Sequence, residues 1–321
     1  MPVKIQDGLP AADILTQENI FVMTDQRART QDIRPLKIAI LNLMPSKSVT
    51  ETQLLRLLGN SPLQVEVTFL CTASYQPTHT EISYLETFYQ TFHDVKEQYY
   101  DGLVITGAPV EGMAFEEVSY WDELTSILEW ARTHVYSSFF ICWAAQAALY
   151  HYYGVGKVPL PAKMFGIFRH RVNDRFHKLV RGFDDTYLAP HSRHTGLDEK
   201  AVASVPGLNV ISESDDAGIY LVADKGGRRI FVTGHCEYDS RTLDREYRRD
   251  TVAGLGVGMP VNYYPGDDPS REPIVSWRSH ANLLFSNWLN YFVYQETPYD
   301  IVNVAEAVRG DGILVQNAQD A

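Results

Sequence analysis

The stretch Ser137-Ser138-Phe139-Phe140-Ile141-Cys142-Trp143-Ala144-Ala145-Gln146-Ala147-Ala148-Leu149-Tyr150 restricts the fold more than any other part of the chain. Its first half is a short apolar, aromatic-rich run, the pattern of a strand buried on both faces. Its second half is alanine-rich with apolar residues at helical spacing, a helix that Gly154 ends. Cys142 sits at the junction. A strand turning sharply into a helix presents the junction side chain at the carboxyl edge of a sheet, where α/β proteins bind ligands. The helix start adds unpaired N–H groups that can hold an oxyanion, and a positive dipole end that favours a thiolate. This is a nucleophile elbow with Cys in the place of Ser. The competing reading is a small buried core thiol, since free Cys is among the most buried residue types.

The surrounding pattern repeats the alternation. Leu36 to Leu43, Gln64 to Cys71 and Tyr100 to Thr106 read as strands, and Thr50 to Leu58 and Trp121 to His134 as helices. Met44-Pro45-Ser46-Lys47 and Gly107-Ala108-Pro109-Val110-Glu111-Gly112 are loops at strand ends. Residues 74 to 97 carry aromatic residues at helical spacing. The alternation predicts an α/β fold: a doubly wound, mostly parallel sheet of flavodoxin-like type with an elaborated C-terminal half. In that half, Lys163 to Val172, Leu208 to Ser212, Ile219 to Ala223 and Arg229 to Thr233 read as strands, with Lys225-Gly226-Gly227 turning the last two into a hairpin. Tyr187 to Pro190 leads into a polar run, His191 to Gly196. Thr242 to Thr251 is a charged helix, and Ser279 to Tyr294 an amphipathic one. The expected organisation is an arm over 1–34 with one short helix near Ala11 to Leu15, a single domain over 35–297, and a tail over 298–321.

Charge and cysteine usage narrow the function. The 321 residues carry a net charge of −12, which disfavours nucleic acid and anionic membrane surfaces as partners. Cys71, Cys142 and Cys236 are too few and too dispersed for a disulfide framework, and no CxxC spacing suggests a metal. No apolar run is long enough to span a membrane, and Met1 to Ile5 lacks a signal segment. The expectation is a cytoplasmic protein without a metal.

His235 and Glu237 flank Cys236. In an extended backbone, residues two apart share a face, so Glu237 can orient the imidazole. With Cys142 at its elbow, the three form a Cys–His–Glu triad candidate. The alternative is a surface polar pair. Cys71 and Cys236 read as structural thiols.

A Cys elbow with a distant His-x-Glu resembles the class I glutamine amidotransferase fold, yet Phe140 and Ala144 stand where those enzymes keep glycines. The segment Pro35 to Pro45 with Lys47, Thr50 and Glu51, the run Cys142-Trp143-Ala144-Ala145-Gln146-Ala147 and the run Gly234-His235-Cys236-Glu237-Tyr238 resemble more closely the homoserine O-acyltransferases of methionine biosynthesis, over nearly the whole chain. The resemblance implies a ping-pong enzyme with Cys142 as the acylated nucleophile, His235 as base and Glu237 as its orienter. It implies homoserine contacts at Lys163, Ser192 and Arg249, a homodimer, and no cofactor beyond an acyl-CoA co-substrate. Lys47 is a candidate acyl-CoA contact. Donor choice falls to position 111, with Ser192 beside it: Glu111 goes with acetyl-CoA and glycine there with succinyl-CoA. The alternatives are a succinyltransferase, a glutamine amidohydrolase-like enzyme, and an idle flavodoxin-like binding module.

Overall fold

The computed structural model of the chain describes residues 3–6, 8–17, 22–24, 34–74, 80–298 and 300–310. Among these residues, twelve strands form one central sheet. They are β1 (Val3–Ile5), β2 (Val22–Thr24), β3 (Leu36–Leu41), β4 (Val65–Cys71), β5 (Tyr89–Thr91), β6 (Tyr100–Ile105), β7 (Val135–Ile141), β8 (Lys157–Val172), β9 (Thr186–Leu197), β10 (Leu208–Ser214), β11 (Gly218–Asp224) and β12 (Arg229–Val232). The order is β2-β1-β4-β3-β6-β7-β12-β11-β10-β8-β9, with β5 beside β4. Pairing is parallel from β2 through β12 and antiparallel from β12 through β9. The helices are α1 (Ala11–Gln17), α2 (Lys47–Gly59), α3 (Ile82–Phe88), α4 (Phe92–Val95), α5 (Trp121–His134), α6 (Trp143–Tyr153), α7 (Glu199–Ser204), α8 (Thr242–Val252), α9 (Arg278–Trp288) and α10 (Val304–Gly310).

Strand alternation divides the core between the two faces. Ile38, Ile40, Phe139 and Ile141 point to the face covered by Leu54, Leu55 and Leu58 of α2 and Phe285 and Trp288 of α9. Ala39, Leu41 and Phe140 point to the face covered by Leu124, Ile127 and Leu128 of α5 and the alanines of α6. Each such large side chain contributes about 1.5–3 kcal/mol on burial, and this holds the carboxyl ends of β3, β6, β7 and β12 in line. Helix α6 ends where Gly154 adopts φ 68°, with its N–H donating to the Leu149 and Tyr150 carbonyls. A third cluster joins Phe165 and Ile167 of β8 to Tyr238, Leu243, Tyr263, Tyr264 and Trp277, and so docks α8 over the β8–β9 ribbon.

Several segments differ from the sequence expectation. Residues 80–97 are not one helix: β5 interrupts them, because the Tyr89 hydroxyl donates to the buried Glu51 carboxylate at 2.5 Å and the segment joins the sheet edge. The polar run His191 to Gly196 belongs to strand β9, its buried polar groups bonded to neighbouring elements. In the arm, α1 forms where expected, and β1 and β2 also extend the sheet beyond β4. Ile301–Asn303 and α10 coil where the sequence suggested only a tail, with Val304 buried. The amphipathic segment after Ser279 changes from α-helix to a π-helical turn at Leu289. The rest of the arm (1–2, 7, 18–21, 25–33) and of the tail (299, 311–321) lies outside the described residues.

Two fully buried histidines link β8 and β9. Arg193 Nε donates to His191 Nδ1 (3.2 Å), so the His191 proton lies on Nε2, facing His170 Nε2 at 3.0 Å. Burial, reinforced by Arg193, lowers the His170 pKa to about 3. As pH falls below about 6.5, the unfolded chain binds a proton that folded His170 refuses, so stability is lost from there down toward pH 3. Urea unfolding should show His170 alone accounting for roughly 2–3 kcal/mol of the loss between pH 7 and 4.5. The His170→Gln variant should lose correspondingly less, and an equal acid slope in both proteins would reject the assignment.

Candidate active site

Strand β7 delivers Cys142 into a conformation few side chains adopt: φ 52°, ψ −114°. It is one of three non-glycine residues with positive φ among the described residues, and backbone strain of this kind marks functional positions. The Cys142 N–H is held by the Val232 carbonyl at 2.7 Å, which ties the elbow to the end of β12. The N–H groups of Ala145 and Gln146 turn back onto the Cys142 carbonyl. Those of Trp143 and Ala144 have no partner among the described residues, leaving a donor pair at the start of α6.

Strand β12 runs parallel to β7, so its end brings His235 to the same sheet edge. The segment from Gly234 is a turn rather than the extended run expected, with the Tyr238 N–H closing on the His235 carbonyl. The His–carboxylate pair forms within this turn: His235 Nδ1 lies 2.7 Å from Glu237 Oε1. Tyr238 stacks on the imidazole at 4.1 Å. Burial disfavours the imidazolium. The adjacent charges and hydrogen bonds of Cys142 and Glu237 outweigh it and hold the His235 pKa well above 6.5. A Cβ on Gly107 would lie 3.3 Å from both Cys142 Cβ and His235 Cε1, so glycine there leaves room over the pair.

The other candidate residues gather on two sides. Lys163 Nζ contacts Glu246 Oε1 (2.7 Å) and Asp250 Oδ2 (3.1 Å) of α8, and the Ser192 hydroxyl donates to Glu246 Oε1 at 2.7 Å. Arg249 is bound to Asp250 at 2.7 Å and is mostly exposed. Burial opposes the Asp250 charge, but bonds from Arg249 and Lys163 lower its pKa overall. Glu246 and Asp250 were unmarked in sequence; their four-residue spacing on a charged helix was the available signal.

Glu111 is not a free loop carboxylate. Its Oε2 accepts from the His194 N–H (2.7 Å) and the Thr195 N–H (3.2 Å), and Thr195 Oγ1 lies 3.2 Å away. Thr195 Oγ1 is also 2.8 Å from Gln146 Oε1, which links Glu111 to the helix that follows Cys142. Lys47 stands apart from the triad. It is the buried first residue of α2 rather than a loop residue, and it donates to the Asn42 carbonyl. Burial lowers its pKa to about 8. It faces a cavity of about 220 Å³ whose wall includes Cys71 and, from the Glu111 loop, Pro109 and Val110. Cys236 is buried, and desolvation pushes its thiol pKa up. No group of three or more metal-ligating side chains occurs among the described residues. No described helix is long and apolar enough to cross a membrane.

A cysteine at a strand–helix elbow, beside a histidine paired with a carboxylate on a mostly parallel α/β sheet, defines an enzyme-like site of the class I glutamine amidotransferase-like architecture. The solved structure of SMU.1228c matches at a TM-score of 0.53 and 14% identity, covering 78% of this chain and 97% of that one. The sequence profile described as homoserine O-succinyltransferase matches residues 2–299, and the chain belongs to that family. A homoserine O-acetyltransferase of Brevibacillus brevis is 60% identical over 94% of this chain and 99% of its own length. That of Desulfitobacterium hafniense is 58% identical over 94% and 98%, and that of Bacteroides thetaiotaomicron 58% over 95% and 100%.

Proposed function

We propose that this protein transfers the acetyl group of acetyl-CoA to the hydroxyl of L-homoserine, a step of methionine biosynthesis, through a Cys142 thioester. The observation that carries this reading is the 58–60% identity, over nearly full length, to homoserine O-acetyltransferases. The enzyme needs no cofactor or metal, acts in the cytoplasm and works as a homodimer, which light scattering tests directly.

The geometry supports a two-step reaction. His235, whose raised pKa keeps its proton, stands beside Cys142 and acts with it once the thiol is ionised. The thiolate attacks the thioester carbonyl, the Trp143 and Ala144 N–H groups receive the oxyanion, and the CoA sulfur leaves with the His235 proton. Neutral His235 then takes the homoserine hydroxyl proton, the oxygen attacks the acyl-enzyme, and Cys142 departs as thiolate beside a re-protonated His235. Exchanging one thioester for another is near thermoneutral, so the enzyme has chiefly to exclude water. Glu246 and Asp250 suit the homoserine ammonium, and Lys163 and Arg249 its carboxylate. Incubation with labelled acetyl-CoA should leave label on the Cys142 peptide, released by homoserine as the O-acetyl ester. Ammonia release from glutamine without label would replace this reading with an amidohydrolase.

Glu111 favours the acetyl donor. Succinyl-CoA ends in a carboxylate, and two such charges about 4 Å apart repel by roughly 4 kcal/mol at an effective dielectric near 20. Glu111→Gly should therefore gain succinyl-CoA activity at the expense of acetyl-CoA, with the kcat/KM ratio moving by about a hundredfold or more. Thr195→Val, which removes one of the Glu111 contacts, should shift the ratio in the same direction by less, and Thr195→Ser should restore it. Wild-type preference for succinyl-CoA would overturn the donor assignment alone.

A further inference from the structure

A second cavity, of about 770 Å³, lies against the triad, within the roughly 300–1,000 Å³ range of cavities that take a small-molecule ligand. The mechanism above uses only its inner wall, through Glu237. Four arginines line it, Arg56, Arg241, Arg245 and Arg278, against two carboxylates, Glu237 and Asp239. In a chain of net charge −12 this is a local reversal of sign. Arg56 pairs with Asp239 at 2.6 Å, and Arg241 with Glu272. Arg245 and Arg278 are exposed and have no ion-pair partner among the described residues.

Backbone charge adds to theirs. The first turn of α2 contributes Ser48 and Val49 to the wall, α8 its cap residue Arg241, and α9 its cap residue Trp277 and Arg278. None of the three helices has a side-chain cap hydrogen bond. The first N–H groups of α2 and α9 have no partner among the described residues and, with their positive dipole ends, are open to an anion. In α8 the Thr242 and Asp244 N–H groups are taken by the Asp239 carbonyl and the Tyr263 hydroxyl. The inner end differs. Glu237 is more than nine-tenths buried there, and its Oε2 has no hydrogen-bond partner among the described residues. That end disfavours a second anion and suits an uncharged ligand segment carrying N–H donors.

We propose that this cavity binds the acyl-CoA donor, with its phosphates at the arginine-lined mouth and its uncharged, amide-bearing arm running inward past Glu237 toward Cys142. The proposal rests on the acyl-CoA chemistry given above and adds where the carrier is held. Guanidinium groups pair with phosphate oxygens in a two-pronged geometry that ammonium groups cannot reproduce.

Two donors separate carrier recognition from chemistry, because S-acetylpantetheine delivers the same acetyl group without the phosphorylated nucleotide. The double variant Arg245→Ala/Arg278→Ala should raise KM for acetyl-CoA by about tenfold or more with kcat held. Its KM for S-acetylpantetheine and for homoserine should not change. A rise for both donors, or for neither, overturns the proposal. Adenosine 3′,5′-bisphosphate should compete with acetyl-CoA on the wild type and lose potency on the variant. Inhibition that persists at saturating acetyl-CoA would instead mark a site for a separate phosphorylated effector and overturn the donor assignment. Calorimetric titration of this bisphosphate needs no turnover, so it reads the cavity even if acetyl transfer fails. Binding without acetyl transfer would overturn the functional reading alone, and no binding to the wild type overturns the cavity proposal.

Discussion

Cys142→Ala should fold as the wild type does and transfer no acetyl group. Alanine and cysteine bear nearly the same cost at φ 52°, and alanine suits the buried start of α6. The backbone bond from residue 142 to the Val232 carbonyl does not depend on the side chain. The melting temperature should therefore stay put while kcat falls by at least roughly 10⁴-fold, as happens when a covalent nucleophile is removed. Mass spectrometry after incubation with acetyl-CoA should find the acetyl adduct on the wild type only. An adduct on the variant, or turnover within about tenfold of wild type, would take the nucleophile role from Cys142. Initial-rate plots against both substrates should give parallel lines for the wild type, as a ping-pong route requires.

His235→Ala should be almost as inactive, by about 10²–10⁴-fold in kcat, because in the proposed mechanism each half-reaction passes a proton through this ring. The pH behaviour distinguishes the role from a structural one. Burial alone would lower the His235 pKa, but Cys142 and Glu237 together raise it well above 6.5. The imidazolium of His235 therefore persists as pH rises through the ordinary histidine range. The stability that the imidazolium contributes is fully present below about 6.5 and is lost as pH rises through the raised folded value. Wild-type acylation should accordingly show no limb near 6.5. Added imidazole should partly restore the His235→Ala variant, and it should do nothing for Cys142→Ala. Glu237→Gln should retain more activity than His235→Ala and bring the titration of His235 down toward the ordinary range. A Glu237→Gln profile superimposable on wild type would remove Glu237 from the cluster.

Most of the scaffold was legible because its signals are local. The run Phe139-Phe140-Ile141 can only be a strand buried on both faces, and the alanines after Cys142 fit only a helix lying close on that sheet. Cys142, His235 and Glu237 could be grouped because each ends an apolar strand, and β7 and β12 are indeed parallel neighbours. What sequence could not supply was long-range pairing. Polar residues 191–196 could be read only as a polar run, with no strand assigned, because their partners, Glu246, Glu111 and Ala217, are remote in the chain. Tyr89 looked helical because the reason for its extended backbone is Glu51, 38 positions earlier. Glu246 went unnoticed among alternating charges on α8, since only the fold shows that Lys163 and Ser192 converge on it.

Strand β9 carries a further consequence. Along its twelve residues, Ser192 reaches Glu246, on the proposed acceptor side, and Thr195 reaches Glu111, on the proposed donor side. In the proposed reading, a single hydrogen-bonded ribbon, stapled to β8, is the gauge against which both substrates are measured. Any change that slides or twists it moves both at once, so acceptor range and donor range are not independently adjustable there. Laboratory evolution toward a longer acyl group should therefore succeed through the loop of residues 107–112, which bears on one side of the gauge alone. Selection for a new amino-acid acceptor should draw its substitutions from α8. Variants in β9 itself should trade one specificity against the other.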